Sequence, residues 1–349
     1  MCNIAGYAGN RQAAPILLEM LRQQEYYDGN VSTGVVTIHE GKLHYRKIVG
    51  TVDDLIKKTD VLELPGTIGI AHTRPSGDSV AYQPCISPDE TSALATNGIF
   101  IKTPYVPGWN EAVKLLVDKG YTFQHVLPTK GKPPCLPDGG NQIFPLEVRL
   151  ALVNMYVEEG KSFTEALALS CSHMFADNAT VVISQRQPDS FFAMRTSRPL
   201  LALEENGETY VATSRYAFDQ EKADLAEYLP LQRSCEITRS GVRITEDKIT
   251  VESTAEITEK VFQKGYDYIC KMLSVSKENA LFFDDLELDL LKNIRDIFEE
   301  NYSLTEHARL VYDVLWQLKK EGRLRQELRP QKTRHGQRMR WYFWLDNEK

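Results

Sequence analysis

No two of the six cysteines (Cys2, Cys85, Cys135, Cys171, Cys235, Cys270) stand two residues apart. That spacing yields neither a zinc knuckle nor a dense disulfide framework, so reduced thiols, no metal site and no cofactor are expected. Apolar runs of membrane-span length are missing, and the first residues lack a positive stretch followed by an apolar core. The expectation is a cytoplasmic protein with no membrane partner. Positive charge is not in excess: 41 Lys and Arg face 48 Asp and Glu, a net charge of −7. This argues against a polyanion-binding protein as a whole, although a local basic patch fits within it. Repeats and low-complexity tracts are also absent. What is present, 349 residues with 42% hydrophobic and 26% charged, has the composition of a soluble globular chain of two or three domains, or of one large domain plus an appendage.

Short strands and helices alternate through the first part. Ile4–Ala8 reads as a strand, Pro15 opens a helix carrying Ile16, Leu17, Met20 and Leu21, and Gly34–Ile38 with Lys42–Arg46 reads as a hairpin around Glu40-Gly41. Gly66–Ala71 and Ser92–Thr96 are strand-like, whereas Asn110–Lys119 and Leu146–Glu159 have helical spacing. Ser162-Phe163-Thr164-Glu165 is a capping box for a further helix. From Thr180 strands predominate: Val181–Ser184, Phe191–Met194, Leu200–Leu203, Thr209–Thr213 and runs near Val242 and Ile249, with a turn at Glu205-Asn206-Gly207-Glu208. His125–Phe144, rich in Pro, Gly and Lys, reads as a lid or an insertion. Near Thr254 the composition turns helical and charged. Glu256–Leu273, Leu286–Phe298 and Thr305–Lys320 read as helices, followed by strands at Arg323–Arg329 and Arg338–Leu345, a pattern resembling a winged helix.

Three segments carry chemistry. Met1-Cys2 places a thiol where removal of Met1 would leave a free α-amine on the same residue, and an amine of pKa ~8 can serve as the base for that thiol. Otherwise Cys2 is a small apolar residue starting a strand. Gly66–Arg74 is an apolar strand that delivers Arg74 to a turn; Arg74 reads either as a solvated charge or as a carboxylate clamp. Asn97-Gly98 sets a side-chain amide beside a glycine N–H, either a hairpin turn or a pair of oxyanion donors. His72 reads as a core histidine.

Together the three resemble the class II glutamine amidotransferase domain of the N-terminal nucleophile (Ntn) hydrolases, and within it the glutaminase domain of glutamine:fructose-6-phosphate aminotransferase. The resemblance runs from Met1 to about Glu252 and includes Leu21–Tyr26, Gly120–Phe123, Ser197-Arg198-Pro199-Leu200 and Ala212-Thr213-Ser214. It implies an α+β fold, a four-layer αββα sandwich over residues 1–253, with a small helical or winged-helix-like domain over 254–349. It also implies Cys2 as nucleophile, Asn97 and Gly98 as oxyanion donors, and Arg74 as the grip on a glutamine α-carboxylate. Glutamine or a related small amide would be cleaved to an acid and ammonia, the ammonia passing to an acceptor or a partner protein. The alternatives are an amidohydrolase acting on another amide, or a non-catalytic regulatory or nucleic-acid-binding protein that kept the fold.

The sequence departs from the family at three places. The family's Arg-Gly-Tyr-Asp-Ser-Ala-Gly becomes Tyr27-Asp28-Gly29-Asn30-Val31-Ser32-Thr33-Gly34, without the arginine. Its Arg-Trp-Ala-Thr-His-Gly becomes Arg74-Pro75-Ser76-Gly77-Asp78, with Ser76 in place of the threonine hydroxyl. Its Asp-Thr-Glu-Val, whose Asp binds the α-amine of glutamine, becomes Pro145-Leu146-Glu147-Val148. Asp138, in the segment just before, is a candidate replacement; a Pro-Asp-Gly turn is the other reading. In the tail, basic residues from Lys319 to Arg340 followed by Trp341-Tyr342-Phe343-Trp344 offer nucleic-acid contact through residues 317–344, protein docking, or a solvated face whose aromatics fill a small core. Asp284, Asp285, Glu287 and Asp289 form an acidic patch able to neutralise those charges internally.

Overall fold

The computed structural model describes residues 2–75, 83–99, 108–138, 140–249, 254–298, 304–333 and 336–346. The first half contains β1 (Asn3–Ala8), α1 (Ala13–Gln24), β2 (Ser32–His39), β3 (Lys42–Val49), α2 (Val52–Lys58), β4 (Ile68–Arg74), β5 (Cys85–Ile86), β6 (Ser92–Ile99), α3 (Gly108–Asp118), β7 (Val126–Lys130), β8 (Asn141–Ile143), α4 (Pro145–Glu158) and α5 (Phe163–His173). It continues with β9 (Asp177–Ser184), β10 (Phe191–Arg195), β11 (Leu201–Glu205), β12 (Glu208–Ala212), β13 (Glu227–Tyr228), β14 (Arg233–Thr238) and β15 (Gly241–Lys248). After β16 (Thr254–Ala255) come α6 (Glu259–Leu273), β17 (Leu281–Phe282), α7 (Phe283–Lys292), α8 (Ile294–Phe298), β18 (Leu304–Thr305), α9 (His307–Lys320), β19 (Leu324–Thr333) and β20 (Gly336–Leu345).

Among the described residues two antiparallel sheets dominate, ordered β13-β11-β12-β1-β4-β2-β3 and β15-β14-β10-β9-β6-β5. Small and β-branched side chains close the space between them: Ile4, Val36, Ile70, Ala95, Val181 and Ala193 belong to one buried cluster. Helices α3, α4 and α5 cover the outer face of the second sheet through Leu116, Leu150, Leu167 and Phe192. Helix α1 and the C-terminal elements cover the first. The result is an α+β sandwich of four layers, helix, sheet, sheet, helix, with a smaller C-terminal region.

Local chemistry explains most of these elements. Ser162 caps α5 by accepting the Glu165 N–H at 3.1 Å. The β2–β3 and β11–β12 hairpins turn on Glu40-Gly41 and Asn206-Gly207, all at positive φ, the two-residue turn that matches strand twist. Four expectations change. Leu286–Phe298 divides into α7 and α8 at Asn293. The run near Ile249 is not a separate strand, because β15 ends at Lys248 and residues 250–253 lie outside the described residues. Arg233–Thr238 is a strand that its mixed polarity concealed: Glu236 stays inside by taking Arg243 and Gln187. His125–Phe144, read as a lid or an insertion, is not without local order: it contains the β7–β8 pair.

The C-terminal region runs α6, β17, α7, α8, α9, β19, β20 with a sheet ordered β17-β20-β19. It shares a hydrophobic cluster with the sandwich. Tyr27 stacks on Tyr216 at 4.1 Å and lies 5.8 Å from Phe343, while Trp316 meets Tyr216 edge-on at 5.2 Å. Each such pair contributes about 0.5–1.5 kcal/mol beyond its buried area. Three buried arginines also cross the junction. Arg195 reaches Glu306 at 2.6 Å, Arg198 lies 2.5 Å from both Asp177 and Glu287, and Arg340 lies 2.7 Å from Asp28 and 2.8 Å from Asp284.

Candidate active site

Cys2 immediately precedes β1, the central strand of the first sheet, and β4 lies beside it in the register Asn3↔Thr73. That pairing brings Arg74, the last residue of β4, to the same end of the sheet as Cys2. From the facing sheet β6 brings Asn97 and Gly98. The Cys2 N–H donates to Asn97 Oδ1 at 3.0 Å. Asn97 is fully buried, and its Nδ2 has no hydrogen-bond partner among the described residues. A buried amide donor left unsatisfied is costly, so it marks a place where an acceptor is wanted. With Oδ1 fixed by Cys2, the Nδ2 donor is held next to the same residue.

Asn97-Gly98 is not a hairpin turn; both residues lie inside β6, opposite Ala179 and Asn178 of β9. Gly98 has φ 132°, and a Cβ there would lie 2.1 Å from the Asp177 carbonyl oxygen. Only glycine fits, and the backbone at this point is pressed against its neighbour.

Burial pushes the Cys2 thiol above its ordinary value; Arg74 and Arg198 pull it back and Asp284 pushes it up. A thiol so placed is protonated at neutral pH and needs a base to act as a nucleophile. His72 is not placed to be that base in its charged cycle. Burial, then Arg74, lowers it to about 3, and its Nε2 sits 3.1 Å from the Thr96 carbonyl oxygen, so it is a neutral donor in the core.

The other predicted residues fare differently. Ser76 and Met1 lie outside the described residues. Asp138 is exposed, and its Oδ1 accepts the Gly140 N–H at 2.9 Å in the turn between β7 and β8; no described hydrogen bond or ion pair joins it to Cys2 or Asn97. Pro145 is the first residue of α4 and is buried. Glu147, two residues on, accepts the N–H groups of Gln124 (2.7 Å) and His125 (2.8 Å), which makes it a structural carboxylate. Among the described residues no group of three His, Cys, Asp or Glu side chains is arranged to hold a metal ion.

Residues of the altered Tyr27–Gly34 loop and of the basic tail meet beside the site. β20 lies across Tyr26–Asn30: the Trp341 N–H donates to the Tyr26 carbonyl at 3.0 Å, and Asn30 Nδ2 donates to the Met339 carbonyl. Arg338 donates to the carbonyl of Pro75, next to Arg74, at 3.3 Å. Asp28 thus receives Arg340 from the C-terminal region, in the loop where the family arginine is missing. Much of the basic tail is engaged in this way or in surface pairs such as Arg325–Asp346 and Lys320–Asp224. Phe343 is buried, while Arg329 sits over the rings of Tyr342 and Trp344 at 5.4 and 5.7 Å. Arg334 lies outside the described residues.

Comparison with known proteins gives the same direction. The glutamine–fructose-6-phosphate aminotransferase of Pyrococcus horikoshii is 28% identical over 223 residues, 62% of this chain and 33% of that protein. The enzyme of the same name from Caldanaerobacter subterraneus subsp. tengcongensis is 31% identical over 219 residues, 61% of this chain and 31% of that protein. The match therefore spans about a third of the length of these curated relatives. Among solved structures, the glutamine phosphoribosylpyrophosphate amidotransferase of B. subtilis, complexed with ADP and GMP, superposes with a TM-score of 0.57 at 17% identity, covering 79% of this chain and 59% of that one. The fold is that of the class II glutamine amidotransferases. A structure described as the allosteric regulatory enzyme of purine biosynthesis gives 0.56 at 17% identity, covering 93% of this chain and 66% of that one. No protein-family model matches the chain. Among the described residues no helix is long and apolar enough to cross a membrane.

Proposed function

We propose that this chain is an N-terminal-nucleophile amidohydrolase that cleaves the side-chain amide of glutamine, or of a close relative carrying an α-carboxylate, to an acid and ammonia. The observation that carries this reading is the contact of Cys2 N with Asn97 Oδ1, which leaves the buried Asn97 Nδ2 unpartnered beside Cys2. Removal of Met1 would free the Cys2 amine, which then accepts the thiol proton, through water or directly, as sulfur attacks the amide carbon. Asn97 Nδ2 and the Gly98 N–H would receive the developing oxyanion, each donor contributing roughly 2.7–4 kcal/mol to the transition state. The amine returns the proton to the leaving nitrogen, ammonia departs, and water cleaves the thioester to free acid and thiol. Arg74 would hold the α-carboxylate.

Pro145 favours a second reading, an amidohydrolase whose substrate is another amide, because an α-ammonium needs an anionic partner that α4 does not supply. Nucleic-acid contact through residues 317–344 is less favoured. The helix preceding the basic hairpin, α9, is packed inward through Leu310, Val311, Val314 and Leu315, and Arg340 is buried between aspartates. A partner or substrate that takes the ammonia is part of the proposal.

The test is glutamate release from glutamine by full-length protein whose N-terminus is verified by mass to be Cys2, beside Cys2→Ala. Release that disappears in the variant supports the reading. No release of acid from glutamine or from a panel of small amides by the processed wild type would sink it.

A further inference from the structure

We propose that His72 is a positioning residue of the amide-cleaving site: its Nε2–H holds the Thr96 carbonyl and so sets Asn97, the next residue, against Cys2. This inference rests on the amidohydrolase reading above and adds to it the device that aims the oxyanion donor.

The starting point is a polar ring in an apolar place. His72 is fully buried on β4, between Ile4 of β1 and Gly34 of β2. Ile70, two residues earlier and so on the same face of the strand, belongs to the aliphatic cluster between the sheets, together with Ala95 of β6. In that layer the His72 Nδ1 has no hydrogen-bond partner among the described residues. A buried acceptor left without a partner costs about 1–3 kcal/mol, which an aliphatic side chain would avoid. The ring is a poor filler, and what it offers in return lies at its other nitrogen.

Nε2 sits 3.1 Å from the Thr96 carbonyl oxygen, which belongs to the facing sheet. A carbonyl only accepts, so Nε2 carries the proton and the neutral ring donates. Thr96 needs such a partner because β5 pairs with β6 at Ala93 and Leu94 and stops there. Beyond that point side chains take the place of the strand. The Thr96 N–H goes to Gln83 Oε1 at 2.7 Å, and the Thr96 C=O goes to His72. Gly34, opposite His72 in the β2–β4 register, leaves room for this clamp, since a Cβ there would overlap the Gln83 carbonyl.

The Thr96 carbonyl belongs to the peptide group whose nitrogen is that of Asn97. Holding it fixes the backbone from which Asn97 projects, and Asn97 Oδ1 in turn receives the Cys2 N–H at 3.0 Å. Arg74 follows His72 by two residues on β4 and so leaves the strand from the same face. One strand thus grips β6 through His72 and carries Arg74 next to that grip. The ring sets the separation between the proposed carboxylate clamp and the proposed oxyanion donor, and does so without changing its own protonation state. A misplacement of about 1 Å in such a site can cost about 10²-fold in rate.

The experiment measures kcat and KM for processed full-length wild type, His72→Leu and His72→Gln, each also in an Asn97→Ala background. The substrate is glutamine, or whichever of a panel of small amides the wild type cleaves. His72→Leu, which removes the donor, should lower kcat about ten- to hundredfold and change KM little. His72→Gln, whose Nε2–H reaches a similar distance, should recover most of that loss. Because His72 acts through Asn97, His72→Leu should lower kcat less than about threefold once Asn97 is alanine. A merely structural histidine would give the same factor in both backgrounds. Equal factors, an unchanged kcat in His72→Leu, or a His72→Gln no better than His72→Leu would overturn the assignment. Should His72→Leu fail to fold, His72→Met carries the same comparison. A folded wild type inert toward every amide removes the amidohydrolase reading and this inference with it; an active wild type whose kcat survives His72→Leu removes the inference alone.

Discussion

The interior of the sandwich and its junction with the C-terminal region are held by different physics. Between the sheets, Ile4, Val36, Ile70, Ala95 and Val181 pack as an aliphatic layer, and the β1–β4 register together with the Cys2–Asn97 hydrogen bond across the two sheets brings Cys2, Arg74 and Asn97-Gly98 to one end. At the junction the contacts are aromatic rings and the buried arginines Arg195, Arg198 and Arg340, each facing carboxylates from the other side. A nonpolar layer tolerates volume-conserving changes, whereas a buried ion pair is unforgiving once one partner is lost. The proposed site is therefore built into the sandwich, and the cover over it is fastened by charge.

The largest effect should come from breaking the junction. Arg198→Met leaves Asp177 and Glu287 as buried anions without their cation, and should cost about 3–5 kcal/mol in urea or thermal unfolding. A loss under about 1 kcal/mol would mean that the aromatic contacts carry the junction instead. On the sandwich side, Asn97→Ala should lower kcat about 10²–10³-fold. Unfolding should shift much less than in Arg198→Met; a variant that keeps kcat would remove Asn97 from the oxyanion site.

A smaller effect is set by pH. His72 titrates near 6.5 when exposed and at about 3 in the fold. Between those values the unfolded chain binds a proton that the folded chain excludes. Its contribution is complete above pH 6.5 and falls as the pH drops through the window, by at most about 1.4 kcal/mol per unit. His72→Asn should flatten the stability profile between pH 6.5 and 5; an unchanged profile would assign that slope to other groups. The smallest effect is expected at the rim, where Arg325→Ala breaks an exposed pair with Asp346 worth about 0–1 kcal/mol, and where a larger loss of stability would show that the rim contributes to the junction after all.

This contrast also explains what could be read from residues alone. β1, β4 and β6 are apolar runs that stop at Cys2, Arg74 and Asn97-Gly98, so their strand character and their polar ends are visible together. The Asn-Gly pair could be read as a turn, and only its pairing with Ala179 and Asn178 of β9 shows it to be strand. β14 was hidden because Arg233, Glu236 and Thr238 break its pattern, and Glu236 is tolerated inside only through partners on other strands. The junction was least legible. Arg340 and Asp28 are 312 residues apart, and no local pattern announces such a pair. The acidic patch at Asp284 and Glu287 was visible as a possible neutraliser of the basic tail. That Asp284 takes Arg340 while Glu287 takes Arg198, a sandwich residue, follows only from the packing.

The proposed mechanism requires Cys2 to act as a nucleophile in a site shaped for a glutamine-like molecule. The most direct measurement is intact-protein and peptide mass spectrometry of processed protein treated with a glutamine analogue bearing a diazoketone in place of the amide. The expected result is one adduct, on Cys2 alone, slowed by added glutamine and nearly lost in Asn97→Ala. Labelling spread over Cys270 or other cysteines, or no adduct at Cys2, would contradict it.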